Sequence, residues 1–145
     1  MKIEAYSDLY FLDVVKIIEN FHKEAVCEYD EFFNPDSLIE AIKSADPNNA
    51  FLLIMDGVCQ GLLYGQRFVS ATSGKTIFQE AVWYVNKPFR GSGLILLKEA
   101  EKMLKSQGVG IIIMAVLENS KTEKIKTFYQ RLGFKPMETH YVRSL

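Results

Sequence analysis

The stretch from Gln79 to Gly108, QEAVWYVNKPFRGSGLILLKEAEKMLKSQG, reads as a strand, a tight loop and a helix. Val82, Trp83, Tyr84 and Val85 are β-branched or aromatic, which suits a buried strand. Pro88 has no N–H to donate and pushes Lys87 out of the helical region, so the strand ends there. After Arg90-Gly91-Ser92-Gly93, Leu94, Leu97, Ala100, Glu101 and Leu104 fall at helical spacing, and Gly108 is placed as a C-terminal cap.

The junction carries the chemistry. The first turn of a helix has unpaired N–H groups and a partial positive charge. Two glycines let the backbone approach a ligand closely, and Arg90 adds a fixed charge with several donors. Together these make an anion site, with phosphate or pyrophosphate as the natural guest. The plainer alternative is a strand–helix turn that uses glycine for geometry alone. There is no G-x-x-x-x-G-K-[ST] motif, and the third glycine of a dinucleotide fingerprint would fall at Leu96.

A length of 145 residues predicts a single domain, 1–145, with a substantial core. A 48% hydrophobic and 24% charged composition is that of a soluble globular protein. A net charge of −1 argues against a nucleic-acid footprint or a membrane-surface patch. No apolar run approaches a membrane span, and MKIEAYSDLY lacks the apolar core of a signal peptide, so the expected location is cytoplasmic. Cys27 and Cys59 are then expected to be reduced. With only His22 and His140, no metal site is expected.

Lys2 to Tyr6 reads as a strand, and Ser7 or Asp8 caps a helix with an apolar stripe at Leu9, Leu12, Val15, Ile18 and Phe21, fading near Cys27. Glu28 to Phe33, EYDEFF, interrupts the pattern, as a substrate-facing loop or as a solvated turn whose phenylalanines tuck inward. Asn34-Pro35 starts a second helix with Leu38, Ile39 and Ile42 inside. Asp56-Gly57 marks a hairpin between Ala50–Met55 and a return strand from Val58 to Val69, and a turn over Ser70–Lys75 leads to the Val85 strand. Gly110 to Leu117 reads as a strand covered on both faces. Asn119 or Ser120 caps a last helix, Ser120 with Glu123 fitting a capping box, and Ile125, Phe128, Tyr129 and Leu132 line one face. Phe134–Pro136 and Glu138–Val142 are expected as final strands. The class is α/β: a mixed, mostly antiparallel central sheet flanked by helices on both faces, in the order β-α-α-β-β-β-α-β-α-β-β.

The junction resembles the coenzyme A signature of the GNAT superfamily of N-acetyltransferases: a strand ending in Val, then x-x-P-x-x, then [RQ]-x-x-G-x-[GA]. Val85, Pro88, Arg90 and Gly93 match, and Ile95 stands where the family has Gly or Ala. The element order is similar to the GNAT fold over essentially the whole chain. Tyr129-Gln130-Arg131-Leu132-Gly133-Phe134 resembles the family's Y-x-x-x-G-F helix ending. Thr122 stands where many members carry an Asn. The end of the chain resembles small phage and bacterial acetyltransferases of unassigned substrate.

The resemblance implies an acetyl-CoA-dependent N-acetyltransferase that moves an acetyl group directly to a primary amine, with acetyl-CoA as co-substrate. It implies that the Val85 strand splays from the strand at Ile111, that Trp83 and Val85 meet pantetheine, and that Arg90, Gly91, Ser92, Gly93 and Leu94 hold the pyrophosphate. Tyr129 takes the role of general acid. Glu80 is the preferred general base and Glu118 the other candidate, although strand alternation sets Glu80 against Val85 unless a bulge intervenes. The expected acceptor is a small-molecule amine or a basic peptide, because Glu28, Asp30 and Glu31 beside three aromatic residues would attract a cation. The protein is expected as a monomer or homodimer. Two other classes remain open: a non-catalytic acyl-CoA-binding or regulatory domain of the same fold, and an unrelated nucleotide-binding module.

Overall fold

The computed structural model describes residues 1–119 and 121–145. The chain divides into two compact units, Met1–Ile113 and Met114–Leu145.

The first unit is built on a five-stranded sheet in sequential order. Strands β1 (Lys2–Ala5), β2 (Ala50–Met55), β3 (Val58–Val69) and β4 (Thr76–Val85) pair antiparallel. The hairpin between β2 and β3 turns at Asp56 and Gly57, with φ of 50° and 80°, so that this dipeptide supplies the left-handed pair that a tight hairpin needs. Strand β5 (Ile111–Ile113) joins β4 in parallel, as a crossover helix requires.

Helix α1 (Phe11–Phe21) follows a short 3-10 turn capped by the Ser7 hydroxyl, and continues as a wider π-helical turn, His22–Val26. Helix α2 (Pro35–Ser44) is capped by Asn34, whose side-chain oxygen accepts the N–H groups of Asp36 and Ser37 at 2.9 and 3.2 Å. Helix α3 (Gly93–Ser106) links β4 to β5. Phe21 of α1 meets Tyr84 edge to face, while Gly93 of α3 lies against Val85 and Trp83. Adjacent strand residues point to opposite faces, so helices cover both sides. Phe51, Leu52 and Leu53 in β2, and Leu62 and Leu63 in β3, are accordingly fully buried in unbroken runs.

Several sequence expectations need correction. The α1 stripe is Tyr10, Val14, Ile17, Ile18 and Phe21, whereas Leu9 and Leu12 are 80% and 73% exposed. A strict spacing of three drifts around a helix of 3.6 residues per turn, so the expected series left the buried face at its N-terminal end. On α3 the buried side is Gly93, Leu96, Leu97, Ala100 and Leu104, and Leu94 and Glu101 flank it. The strand expected over Gly110–Leu117 is regular only at Ile111–Ile113, because its pairing with β4 stops there.

In the second unit, α4 spans Thr122–Arg131, with Ile125, Phe128, Tyr129 and Leu132 on its less exposed side. Asn119 caps its approach, its side-chain oxygen accepting the Lys121 N–H at 2.9 Å. The capping box expected at Ser120 lies outside the described residues. The two final strands do not form: 134–145 have no regular secondary structure, and Met137, Tyr141 and Val142 are exposed, so no apolar face gains burial by pairing. Among the described residues no helix is long and apolar enough to cross a membrane.

Candidate functional site

The site is organised by how β4 changes partners. Its pairing with β5 covers only Ile77, Phe78 and Gln79, and β4 then runs on for six residues to Val85. Six residues of β4, from Glu80 to Val85, thus have no partner in β5, which ends at Ile113. At the same place β4 is bulged: Gly65 pairs with Glu80 but its neighbour Tyr64 pairs with Val82, leaving Ala81 as the inserted residue. A Cβ on Gly65 would lie 2.4 Å from the Gln79 carbonyl oxygen, so the strand opposite the bulge has to be glycine there. The bulge resolves the parity conflict. Glu80, Trp83 and Val85 now lie on the face shared with Gly65, Leu63 and Gly61, the face that α3 covers.

Beyond Val85, Asn86 ties the strand end to its surroundings. It donates to Gln60 and accepts from Asn20 of α1, at 2.9 and 3.1 Å. Lys87–Ser92 coils as a 3-10 turn directly into α3, where a tight loop was expected. Ser92, at the N-cap of α3, makes no side-chain capping bond, and the first turn of the helix holds no acid. Gly91 faces open space: a Cβ added there meets nothing within 4 Å. Of the residues expected to hold pyrophosphate, Gly91, Ser92, Gly93 and Leu94 thus sit where the 3-10 turn runs into α3, and the Gly93 N–H already donates to the Arg90 carbonyl oxygen.

Arg90 has a partner the sequence did not indicate. Its guanidinium is ion-paired to Glu24 in the π-helical turn, with Lys87 Nζ 3.6 Å from the same carboxylate. It also lies 5.9 Å from the centre of the Tyr84 ring. Partial burial alone would raise the Glu24 carboxyl, but the Tyr84 and Arg90 hydrogen bonds and the two cations together hold it below its ordinary value. Ile95 is 40% exposed in the first turn of α3, on the solvent side rather than against the sheet.

A cavity of about 260 Å³ lies between α1, α2 and the EYDEFF connection. Its wall is mainly Ile18, Phe21, Val26, Phe32, Phe33 and Leu38, and from the sheet it takes Ala81, the bulge residue. EYDEFF therefore contributes its phenylalanines to the cavity, while Glu28, Asp30 and Glu31 are exposed outside the wall. His22, also in the wall, places Nε2 2.7 Å from Asp30. Ala81, Glu24 and His22 carried no local signal in the sequence.

Tyr129, in the second unit, is 7% exposed and donates its hydroxyl to the Ala115 carbonyl oxygen at 3.2 Å, with its ring against Phe134. Thr122 closes a local knot there, donating to the Leu117 carbonyl at 2.7 Å. Glu118 is exposed, 3.8 Å from Lys126. Cys27 is exposed and free; Cys59 is buried, and burial pushes its thiol up to about 12, which removes it as a nucleophile. Among the described residues no cluster of three metal-ligating side chains occurs.

No family model matches the sequence, and no curated protein matches it. Solved structures do. An aminoglycoside acetyltransferase from an uncultured soil metagenomic sample superposes with a TM-score of 0.74 at 13% identity, over 99% of this chain and 97% of that one. A probable acetyltransferase gives 0.76 at 15% identity, over 100% and 98% of the two chains. AAC(6')-Iy, in complex with the bisubstrate analogue CoA-S-monomethyl-acetylneamine, gives 0.73 at 14%, over 99% and 97%. At such identities the likeness is one of fold: the chain has the GNAT fold, the fold of these acetyltransferase structures.

Proposed function

We propose that this chain is an acetyl-CoA-dependent N-acetyltransferase acting by direct transfer to a primary amine. The observation that carries the reading is the conjunction at β4. The strand's pairing with β5 ends at Gln79, the strand bulges at Ala81, and it leads through a 3-10 turn with an open glycine at 91 into α3, whose first turn holds no acid. These features fit a long ligand with an anionic middle and an extended amide arm. In this reading Arg90, Gly91, Ser92, Gly93 and Leu94 hold the pyrophosphate, and the backbone at Trp83 and Val85 takes the pantetheine arm. Residues 1–145 then act as a single domain, which the near-complete coverage of the acetyltransferase structures supports. A cytoplasmic location belongs to the same reading.

Acetyl-CoA supplies the acyl thioester. The amine nitrogen bonds to the acyl carbon as the C–S bond breaks, the amine loses one proton, and the departing thiolate takes one. We assign proton removal to Glu80, which the bulge turns to the same face as Trp83 and Val85, and proton return to Tyr129. One observation favours the alternative of a non-catalytic acyl-CoA-binding domain: the Tyr129 hydroxyl already donates to the Ala115 carbonyl. Thiol release from acetyl-CoA with a panel of amines, alongside calorimetric coenzyme binding, decides between them. Amine-dependent release supports the enzyme, binding without release supports the alternative, and no binding removes both.

A further inference from the structure

We propose that the cavity between α1 and α2 holds the hydrocarbon part of the acceptor. The acceptor is then a primary amine carried on an apolar group of about ring size, and not a polycation. The inference rests on the acetyltransferase reading above and narrows it.

The wall decides the class. Its body is Ile18, Phe21, Val26, Phe32, Phe33 and Leu38, with no carboxylate among them. An ammonium or a sugar hydroxyl drawn into such a space loses water and gains no partner. Of the polar residues in the wall, Asn34 uses its side-chain oxygen to cap α2, His22 is paired with Asp30, and Ser37 is exposed at the edge. The acids of EYDEFF, which would favour a cation, stand outside.

Size points the same way. Apolar cavities of about 150 Å³ accept benzene, and sites for drug-sized ligands begin near 300 Å³. A cavity of about 260 Å³ suits one ring with a short arm, or a branched alkyl group of similar bulk. Ala81 sets the direction. It is exposed, it belongs to both the cavity wall and the β4 bulge, and the strand beyond it is the proposed coenzyme edge. An amine on a short arm from a buried ring comes out beside Ala81.

The test compares 2-phenylethylamine, spermidine and an aminoglycoside as acceptors, in the parent and in Ser37→Phe. Ser37 is an exposed residue of the cavity wall, so the larger side chain fills the space from a position with little bearing on folding. The expected result is a KM for 2-phenylethylamine at least tenfold below that for spermidine. Ser37→Phe should raise it at least tenfold with the acetyl-CoA KM unchanged. A preference for spermidine or the aminoglycoside, or an unmoved 2-phenylethylamine KM in the variant, overturns the proposal while acetyl transfer itself stands. Ligand-observed NMR with unreactive 2-phenylethanol, without coenzyme, tests the cavity apart from catalysis. Saturable binding that Ser37→Phe abolishes supports it even if no acetyl transfer is found, and absence of binding overturns it even if coenzyme binds.

Discussion

Arg90 of the coenzyme-loop motif is ion-paired to Glu24, in the helical turn that also supplies His22 and Val26 to the cavity. One residue of the proposed coenzyme loop is thus tied to the segment that forms the wall of the cavity. If Arg90 also contacts pyrophosphate, Glu24 competes for it. A charge-assisted hydrogen bond contributes about 1.5–3 kcal/mol, so Arg90→Ala should weaken acetyl-CoA binding roughly ten- to a hundredfold. Glu24→Gln should tighten it, and calorimetry on both variants checks the opposed signs.

The same pair predicts a pH dependence of stability. The Glu24 carboxyl is held below its ordinary 4.5 in the folded chain. Its contribution is therefore complete above that value and fades as pH falls through the lower, folded one. Melting temperatures of the parent and Glu24→Gln should differ most above pH 4.5 and converge in stronger acid. Curves that stay parallel throughout would show that the ion pair adds nothing in solution.

Ile95 replaces the small residue of the coenzyme signature and is 40% exposed on α3. Shortening it opens no internal cavity, and alanine is the best helix former. Ile95→Ala should leave the melting temperature within a degree or two, since surface substitutions usually change stability by about 0.5 kcal/mol or less. It should tighten acetyl-CoA binding severalfold. A large loss of stability would mean that Ile95 packs more tightly than its exposure implies.

Tyr129→Phe and Glu80→Gln separate chemistry from packing. As a general acid Tyr129 should carry about 10²–10⁴-fold in turnover with coenzyme affinity unchanged. As a packing residue it loses one hydrogen bond to Ala115, worth about 1 kcal/mol of stability, and turnover persists. Glu80→Gln should depress kcat near neutrality and recover toward high pH, where the free amine is abundant, while Glu118→Gln should leave the profile alone.

Features held by adjacent residues were legible in the sequence. Asp56-Gly57 gave the hairpin, Asn34-Pro35 the start of α2, and Pro88 through Gly93 the strand–helix junction. A bulge between Glu80 and Val85 entered only as a condition, and its place at Ala81 was not legible, because an inserted residue in a strand carries no composition of its own; it is defined by Gly65 on the neighbouring strand. Nor were the Arg90–Glu24 and His22–Asp30 pairs, which depend on how helical turns are placed in space. The closing residues failed as strands because β-branched and aromatic side chains signal a strand only where a partner edge buries them.

The central claim is that the turn into α3 binds the phosphates of acetyl-CoA, and Gly91 tests it most directly. A Cβ at 91 meets nothing within 4 Å, so Gly91→Val should fold and melt like the parent. It would stand in the space proposed for the ligand. Calorimetric titration with acetyl-CoA should show saturable binding by the parent and at least a tenfold loss in Gly91→Val at an unchanged melting temperature. Equal binding by the two proteins, or none by the parent, contradicts the account.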